Sequence, residues 1–528
     1  MSYLARRRGS IAAALLGSVV CLPVLGASDS GAPAEARFDV LEYRVLGNTL
    51  LPQIDVERAV YPFLGPDKSI EDVQAARAAL EQAYHAAGRG TVYVDVPEQN
   101  VEGGIVRLKV TEGRLRQVRV QGARYFSGRQ IRAALPAAEA DTAPDLPALQ
   151  HQISILNTQT PDRAVVPVLK AGPVPGTVDL MLKVNDHLPL HGSLEVNNQY
   201  TADTSQLRAL ASLSYDNLFN RLDSISLQYQ TSPQELSELS VLVASYTHYL
   251  GEGRRLALYF VDSDSDVASL GTLAVLGKGK VYGSRLILPL VNSAESSHTL
   301  TLGVEYKDFL ESIALDDDSS FRTPIGYVNL SLGESGVWRW DRLQLTESSS
   351  FNFGPRGLGN SSREFADKRF KGRPNYFYFR GNIAVRKLLY RDFSLLASLA
   401  GQYSLEPIIG NEQFAMGGAD GVRGYLEAEA LGDIGAKATL QLESPAWSLF
   451  DGKTQTTGFI FYDAGRVSTI EPLPDEGRNE DLRSWGVGFN FNAFDHFSAS
   501  LAWADPLVDG SRTLAGDSRI LFVVRSSW

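Results

Sequence analysis

Apolar and polar residues alternate along the chain from about residue 190 to its end, in segments of roughly ten residues. In Leu222–Thr231, Ile225 and Leu227 fall on one face, whereas Ser224 and Ser226 fall on the other. A period of two residues predicts β-strands. An apolar face suits lipid and a polar face suits a water-filled lumen. The pattern therefore predicts an all-β transmembrane barrel of antiparallel strands over residues 187–528.

Two further segments show that the polar face of this barrel carries charge. In Thr299–Lys307, Leu302 and Val304 oppose Glu305 and Lys307. In Ala436–Ser444 the same alternation sets three apolar residues against four polar or charged ones, namely Ala438, Leu440 and Leu442 against Lys437, Thr439, Gln441 and Glu443. Charged side chains would be costly against lipid, so this face is expected to line the lumen.

About sixteen such segments are present, an even number as bacterial barrels require, the first near 190–200 and the last at 518–528. Short connections are expected near 217–221, 250–253, 334–336, 389–391 and 493–495. Long ones are expected near 264–278, 309–320, 350–374, 405–432, 466–483 and 505–517. Short periplasmic turns alternating with long external loops are typical of barrels. A soluble β-sandwich is the alternative, and it would not need this asymmetry.

Residues 36–186 have a different pattern, which predicts α+β structure. Residues 36–112 read strand, helix, helix, strand, strand, at Phe38–Leu46, Asp55–Phe63, Ser69–Ala87, Thr91–Val96 and Gly104–Thr111. Residues 113–186 repeat this order at Leu115–Val120, Ser127–Leu135, Leu146–Thr158, Ala164–Leu169 and Thr177–Val184. Two βααββ domains, 36–112 and 113–186, are predicted.

The first 27 residues have the composition of a signal peptide. Three arginines, Arg6–Arg8, precede an apolar run at Ile11–Leu25, and the small residues Gly26 and Ala27 follow. The apolar run is shorter than the roughly 20 residues of a spanning helix, which disfavours the alternative of a signal anchor. The only cysteine, Cys21, lies within it, so the mature chain is expected to have no thiol for a metal or redox site. Residues 28–35 are expected to be a short tail.

Composition and charge narrow the function further. The chain is 44% hydrophobic and 21% charged, with a formal net charge of −11, which argues against a nucleic-acid surface. The sequence predicts no catalytic residue, no cofactor and no metal. Asp262, Asp264 and Asp266 begin like a calcium loop but lack its glycine and terminal carboxylate. His187 and His191 are separated by Pro189, which disfavours a helix presenting both to a metal.

Two short motifs point to a contact between a loop and the barrel wall. The insertion at 405–432 contains Gly421, Val422, Arg423, Gly424 and Tyr425 in succession, and the strand at Phe459–Gly465 contains Phe461, Asp463 and Gly465. Asp463 is expected to face the lumen, where a buried carboxylate needs a cation. Arg423, flanked by glycines that permit a tight turn, can pair with it in a bidentate way. The alternative is that Arg423 is solvated on an external loop and Asp463 faces pore water.

These motifs resemble those of the two-partner secretion transporters, the TpsB or ShlB/FhaC/HecB haemolysin secretion/activation family. Residues 422–425 resemble the VRGY motif of the loop that folds back into the barrel in that family. Residues 461–465 resemble the FxDxG motif of its thirteenth strand. Residues 215–219 also look like the first periplasmic turn of the family, and the resemblance covers essentially the whole mature chain.

The resemblance implies a protein-secretion pore in the bacterial outer membrane, with two POTRA domains in the periplasm. They would capture an unfolded exoprotein, an adhesin or haemolysin with an N-terminal secretion domain, by strand addition. The other implied partners are outer-membrane lipids and lipopolysaccharide, and the barrel assembly machinery during biogenesis. Trp528 is expected in the aromatic girdle of the barrel.

This function has three alternatives. One is an assembly factor of the same superfamily, which inserts other barrels. A ligand-gated uptake receptor would need a plug domain and more strands. An enzyme would need a catalytic constellation that the sequence does not show, so we predict that the chain is not an enzyme.

Family members also place an N-terminal plug helix in the pore. Because only about ten residues separate Ser28 from Phe38, and ten residues extend roughly 35 Å at most, we expect no such helix here.

Overall fold

The computed structural model of the protein describes residues 37–265, 267–270, 273–316, 319–448, 452–474 and 477–528. The predicted signal peptide, the tail at 28–35, Cys21 and any plug helix lie outside the described residues. The chain divides into two compact units. The first comprises the described residues up to Val118 with Ala137–Gln150 and Leu169–Leu180, and the second comprises Arg119–Pro136, His151–Val168 and Met181–Trp528.

The segment 37–112 forms a small sheet packed on two helices. Its elements are β1 (Phe38–Val40), β2 (Glu42–Leu46), α1 (Gln53–Val60), β3 (Gly65–Lys68), α2 (Ile70–Ala86), β4 (Val92–Asp95) and β5 (Ile105–Glu112). In the three-stranded sheet β5 is central, parallel to β2 and antiparallel to β4. Val73, Leu80 and Tyr84 of α2 are buried against this sheet. Burial raises the pKa of the Tyr84 phenol to about 12.

Two details of this segment differ from the sequence prediction. The strand predicted at Phe38–Leu46 is interrupted at Leu41, and its two halves join different sheets. The amides of Leu41 and Glu42 both donate to the carbonyl of Gly104, at 2.7 and 3.2 Å, which bends the chain there. The first half pairs with β3, a strand that the sequence did not indicate because Gly65 and Pro66 are poor strand formers. The first α-helix ends at Val60, and Tyr61–Phe63 forms a 3-10 turn.

Helix α2 begins at a capping box. The hydroxyl of Ser69 accepts from the amide of Asp72 at 3.4 Å, and the carboxylate of Asp72 accepts from the amide of Ser69 at 2.8 Å. This second bond holds the pKa of the Asp72 carboxyl below its usual range. Two amides that the helix cannot satisfy internally are thereby paired.

We expect Ser69→Ala to loosen α2, because loss of an N-cap hydroxyl costs about 1 kcal/mol. In hydrogen exchange of the full protein, amides of residues 70–86 should exchange about fivefold faster, the factor that corresponds to this energy. Gln82→Ala, an exposed position on the same helix, is the matched control and should not accelerate exchange. Equal exchange in the wild type and Ser69→Ala would show that the cap does not limit opening of α2.

The segment 113–186 contains β6 (Arg114–Gln121), α3 (Gly128–Ala133), α4 (Leu146–Thr158), β7 (Arg163–Ala171) and β8 (Thr177–Asp186). The three strands form one sheet in the order β6-β8-β7. These elements follow the predicted order. The boundary between the two compact units passes through this segment, and a second domain with bounds 113 and 186 stays a prediction.

Sixteen strands of the second unit form one closed barrel, which confirms the predicted fold class. They are, in chain order, Leu190–Asn197, Arg208–Leu218, Asp223–Thr231, Ser240–Gly251, Arg254–Asp264, Gly279–Asn292, Ser296–Asp316, Ser319–Arg339, Leu343–Phe353, Phe377–Leu388, Ser394–Ser404, Ile434–Glu443, Thr454–Ser468, Asn479–Ala493, Phe497–Pro506 and Arg519–Ser527. Each strand is antiparallel to the next, and the last pairs with the first to close the barrel.

The two faces of the barrel wall have the polarity that the sequence predicts. On the third strand Ile225 and Leu227 are exposed on the outer surface, and Ser226 hydrogen-bonds across the inner face to Ser245 at 2.7 Å. Among the described residues no helix is long and apolar enough to cross a membrane.

Two predicted connections are wrong. The long loop expected at 309–320 is instead a continuation of the seventh and eighth strands, whose ladder runs on to the pair Asp316 and Ser319. The turn expected at 334–336 lies within the eighth strand, and the connection follows at 340–342. Both segments are rich in polar residues and were therefore assigned to connections. Strands that extend beyond the apolar band of the membrane need no apolar face.

Candidate functional site

The segment 405–433, between the eleventh and twelfth barrel strands, folds back into the barrel and is called the lid loop below. Its two arms pair as a short antiparallel ladder, Phe414–Met416 with Ala430–Gly432. Gly417 and Gly424 adopt positive φ angles of 104° and 95°, a conformation that other residues rarely adopt. The loop can therefore reverse tightly enough to bring its tip against the inner wall.

Arg423 at the tip contacts Asp463 on the thirteenth barrel strand. The guanidinium donates through Nε to Asp463 Oδ2 at 2.7 Å and through its second terminal nitrogen to Oδ1 at 2.9 Å, in bidentate geometry. The backbone amide of Arg423 donates to the same carboxylate at 3.1 Å, and the remaining nitrogen donates to Gln441 at 2.8 Å. Asp463 is fully buried and Arg423 is 13% exposed. The carboxylate thus has three donors from one residue of the lid loop.

The neighbours of Asp463 complete this contact. The Arg423 guanidinium carbon lies 3.4 Å from the centre of the Phe461 ring, a cation–π arrangement that shields the ion pair from water. A side chain at Gly465 would collide with the sulfur of Met416, since a Cβ there would lie only 2.4 Å from it. Phe461, Asp463 and Gly465 therefore provide a stacking surface, a charge and an open space, in that order along one face of the strand.

Val422 and Tyr425 fix the tip on either side of Arg423. Both are fully buried, in a cluster with Met416 and Leu482. The hydroxyl of Tyr425 donates a hydrogen bond to the carbonyl oxygen of Val508 at 2.7 Å.

The flanking glycines allow this packing. A Cβ at Gly421 would lie 2.2 Å from the carbonyl oxygen of Gly417, and one at Gly424 would meet Ala504 and Pro506 at 3.4 Å.

Two acidic residues that sequence reasoning missed tie the lid loop to external loops. The Glu429 carboxylate accepts from the amides of Arg512 and Thr513, at 2.6 and 2.7 Å. Asp433, fully buried at the end of the lid loop, accepts from the amide of Ile470 at 2.7 Å. A carboxylate within a long insertion gives no sequence signal, because such residues are usually solvated.

Trp528 lies beside the first barrel strand. Its amide donates to the carbonyl of Gly192 at 3.0 Å, and the amide of Gly192 donates back at 3.1 Å. The indole occupies the space that a side chain at Gly192 would take, and it is 55% exposed. The exposed indole is compatible with the predicted girdle position.

His191 meets two carboxylates, although the sequence gave no reason to expect it. Its Nε2 lies 3.1 Å from Asp162 and 3.6 Å from Asp216. Each group already has a protein partner, since Thr160 contacts Asp162 at 3.2 Å and Ser224 donates to Asp216 at 2.5 Å. The arrangement is accounted for by hydrogen bonds between these side chains.

The structure defines a closed sixteen-stranded barrel with an in-folded loop, and comparison with known proteins gives the family. The family model "Haemolysin secretion/activation protein ShlB/FhaC/HecB" matches residues 176–491, more than half of the chain. The model "POTRA domain, ShlB-type" matches residues 38–113. The chain therefore belongs to the ShlB/FhaC/HecB haemolysin secretion/activation family.

Curated relatives agree with this assignment. The outer membrane transporter CdiB of Dickeya dadantii is 24% identical over 438 residues, covering 78% of this chain and 73% of the relative. The heme/hemopexin transporter protein HuxB of Haemophilus influenzae is 19% identical over 492 residues, covering 90% of this chain and 84% of the relative.

Solved structures show the same fold. CdiB from Escherichia coli aligns with a TM-score of 0.60 at 19% identity, covering 95% of this chain and 93% of that one. BamA from Haemophilus ducreyi lacking POTRA domains 1–3 aligns with a TM-score of 0.57 at 16% identity, covering 93% of this chain and 100% of that one.

These findings confirm the family, the fold class, the outer-membrane location and the transporter character predicted from the sequence. The matched relatives are outer-membrane and heme/hemopexin transporters, so the prediction that the chain is not an enzyme is confirmed as well.

Proposed function

We propose that this protein is the translocation pore of a two-partner secretion system and that the lid loop closes it. The observation that supports this most directly is the bidentate contact between Arg423 and Asp463 inside a closed barrel. Removing Arg423 would leave the buried Asp463 carboxylate unpaired in the closed position, at a cost of about 3–5 kcal/mol, so the closed position depends on both partners. The same contact is releasable, because both groups regain hydration when water enters the lumen.

The client in this proposal is a large, unfolded exoprotein, an adhesin or haemolysin that carries an N-terminal secretion domain. It binds the POTRA segments in the periplasm and leaves through the barrel, and folding outside gives the transport its direction. An extended client can be recognised by strand addition to an open sheet edge.

One edge of the first sheet is already occupied. The amide of Val94 on β4 donates to Glu81 at 3.1 Å, and the carbonyl of Val94 accepts from Arg77 at 3.3 Å. His85 lies 3.1 Å from the carbonyl oxygen of Val92. All three side chains belong to α2. A client strand adding along β4 would have to displace them.

An assembly factor that inserts other barrels is the second candidate, favoured by the fold similarity to BamA. That similarity, at 16% identity, concerns the fold alone. The two candidates predict different losses when this chain is deleted from its host: one secreted protein in the first case and several barrel proteins in the second. Contacts with lipopolysaccharide and with the barrel assembly machinery also remain predictions.

Arg423→Ala tests the proposed role of the lid loop. We expect a heat-modifiable barrel at normal abundance in the outer membrane, because the sixteen-stranded ladder does not include Arg423. Secretion of the client exoprotein should fall at least about tenfold, since the closed loop would leave Asp463 unpaired at a cost of about 3–5 kcal/mol and the tip loses its defined position. Secretion is measured as exoprotein in the medium relative to cells.

Arg373→Ala is the matched control. Arg373 is also an arginine facing a carboxylate, Glu406, but the pair is 3.7 Å apart and Arg373 is 65% exposed. Exposed pairs contribute about 0–1 kcal/mol, so this variant should secrete normally. Normal secretion by Arg423→Ala at wild-type abundance would contradict the proposed role of the lid loop.

A further inference from the structure

A second contact holds the lid loop to the barrel wall, eleven residues before Arg423 in the chain. It centres on Glu412, at the end of a 3-10 turn that spans Gly410–Glu412. Its side chain is only 2% exposed, although the residue lies in a long insertion. A buried carboxylate requires donors, and the barrel wall supplies them.

Three side chains from three barrel strands donate to Glu412. Lys307 of the seventh strand donates to Oε1 at 2.6 Å, and the hydroxyl of Tyr327 of the eighth strand donates to the same oxygen at 2.5 Å. Tyr378 of the tenth strand donates to Oε2 at 2.6 Å. In addition, the side-chain amide of Gln402 donates to the backbone carbonyl of Glu412 at 3.0 Å. Both carboxylate oxygens and the main chain are therefore held by the wall.

Apolar packing reinforces the same contact. Ile408 and Ile409, just before Glu412, are buried in one cluster with Tyr327, Tyr378 and Phe365. This cluster excludes water from the charged group and makes its hydrogen bonds stronger than they would be in solvent.

Lys307 retains a carboxylate partner on the wall if Glu412 moves away. Lys307 also lies 3.4 Å from Glu305 of its own strand. Glu305 in turn accepts from Arg285 at 3.0 Å and from the hydroxyl of Tyr259. If Glu412 moves away, Lys307 keeps a carboxylate partner, and water reaching the lumen can solvate the two tyrosine hydroxyls. The charges of this group balance with the lid loop in place, and its departure leaves one excess positive charge on Lys307 and Arg285, which water in the lumen can solvate.

The two contacts lie on separate parts of the barrel. Asp463 belongs to the thirteenth strand, whereas Lys307, Tyr327 and Tyr378 belong to the seventh, eighth and tenth. The segment between Glu412 and Arg423 is therefore fixed at both ends to different stretches of the wall.

We propose that Glu412, with Lys307, Tyr327 and Tyr378, forms a second anchor of the lid loop, and that opening of the pore requires release of both anchors. This inference rests on the proposed function of the loop as the closing element. Glu412 is a positioning residue in this scheme, since it holds the loop and touches no client in the closed state. Because the anchors use different groups, their contributions to the closed state should be additive in free energy.

The test is the frequency of large open-channel events in planar bilayers, measured for purified full-length protein in the absence of client. Glu412→Gln removes the charge and keeps the shape, so the open frequency should rise about tenfold, as expected for loss of a charge-assisted hydrogen-bond network. Lys307→Met should raise it similarly, and the double variant should add little, because the two residues act through one contact. Glu412→Gln with Arg423→Ala should multiply the two single effects.

Glu406→Gln is the control, since Glu406 lies in the same loop and pairs with the exposed Arg373. Its open frequency should match the wild type. Heat-modifiable migration verifies that each barrel is folded. If Glu412→Gln does not fold, Tyr378→Phe removes one donor to Glu412 and should raise the open frequency by a smaller factor.

The outcomes separate this inference from the proposed function. If Arg423→Ala raises the open frequency while folded Glu412→Gln and Tyr378→Phe leave it unchanged, the second anchor is wrong and the lid role stands. If none of the three changes it, the lid role itself is wrong. Additive effects of Glu412→Gln and Lys307→Met would also overturn the pairing assigned here.

Discussion

Deletion of residues 36–112 should abolish secretion of the client while the barrel still inserts into the outer membrane. In the proposed mechanism the client binds first to the POTRA segments in the periplasm, so we expect the loss of secretion to be complete. The deleted segment contributes no strand to the closed sixteen-stranded ladder, so the barrel should fold without it. The measurement is exoprotein in the medium, with heat-modifiable migration as the check on the barrel.

Ser69→Ala serves as the matched control for this deletion, because it loosens one helix of the same segment without removing the sheet. It should reduce secretion far less than the deletion does. Export of client by a truncated barrel at wild-type rates would show that the first POTRA segment is dispensable, and the capture step would then have to be assigned elsewhere.

The architecture of the barrel could be predicted because its signal is repeated sixteen times. Each strand must place apolar residues toward lipid and polar ones toward the lumen, so the period of two recurs throughout. The predicted connections were wrong where the strands extend beyond the membrane and no longer face lipid. Between Phe309 and Ser320 the strands extend past the expected apolar band, the alternation fades, and the segment resembled a loop although its ladder continues.

The first contact of the lid loop could be predicted because both partners stand in local patterns. Arg423 lies among glycines that indicate a tight turn, and Asp463 shares one strand face with Phe461. The structure brings Arg423 and Asp463 together at 2.7 Å, although their role in transport remains a proposal.

The second contact left no comparable trace in the sequence. The face of Lys307 was predicted from the alternation of its strand, but Glu412 lies in a long loop, where an acidic residue is usually solvated. Their contact joins residues that are 105 positions apart in the chain. Only the folded path of the loop brings them together, so no local pattern could have identified the pair.

Deletion of residues 415–427 should raise single-channel conductance strongly, by a factor of several, in planar bilayers without client. The deleted residues include the buried tip with Met416, Val422 and Tyr425, which packs in one cluster with Val467 of the thirteenth strand and Leu482 of the fourteenth. The two ends of the deletion can be joined without strain on the barrel, because Phe414 already pairs with Gly432 across the short ladder. The obstruction is therefore removed without opening the barrel.

The control is deletion of residues 356–359, four exposed positions in a different external loop. Loss of these residues shortens a loop but leaves the lid loop in place, so conductance should stay near the wild-type value.

Arg423→Ala distinguishes a wider open pore from a pore that opens more often. It keeps the mass of the tip and removes its charge contact, so it should raise the frequency of open events more than the size of each event. The deletion should instead enlarge every event, because no tip remains to return to the wall. Equal conductance of the deletion variant and the wild type would mean that another part of the chain blocks the pore.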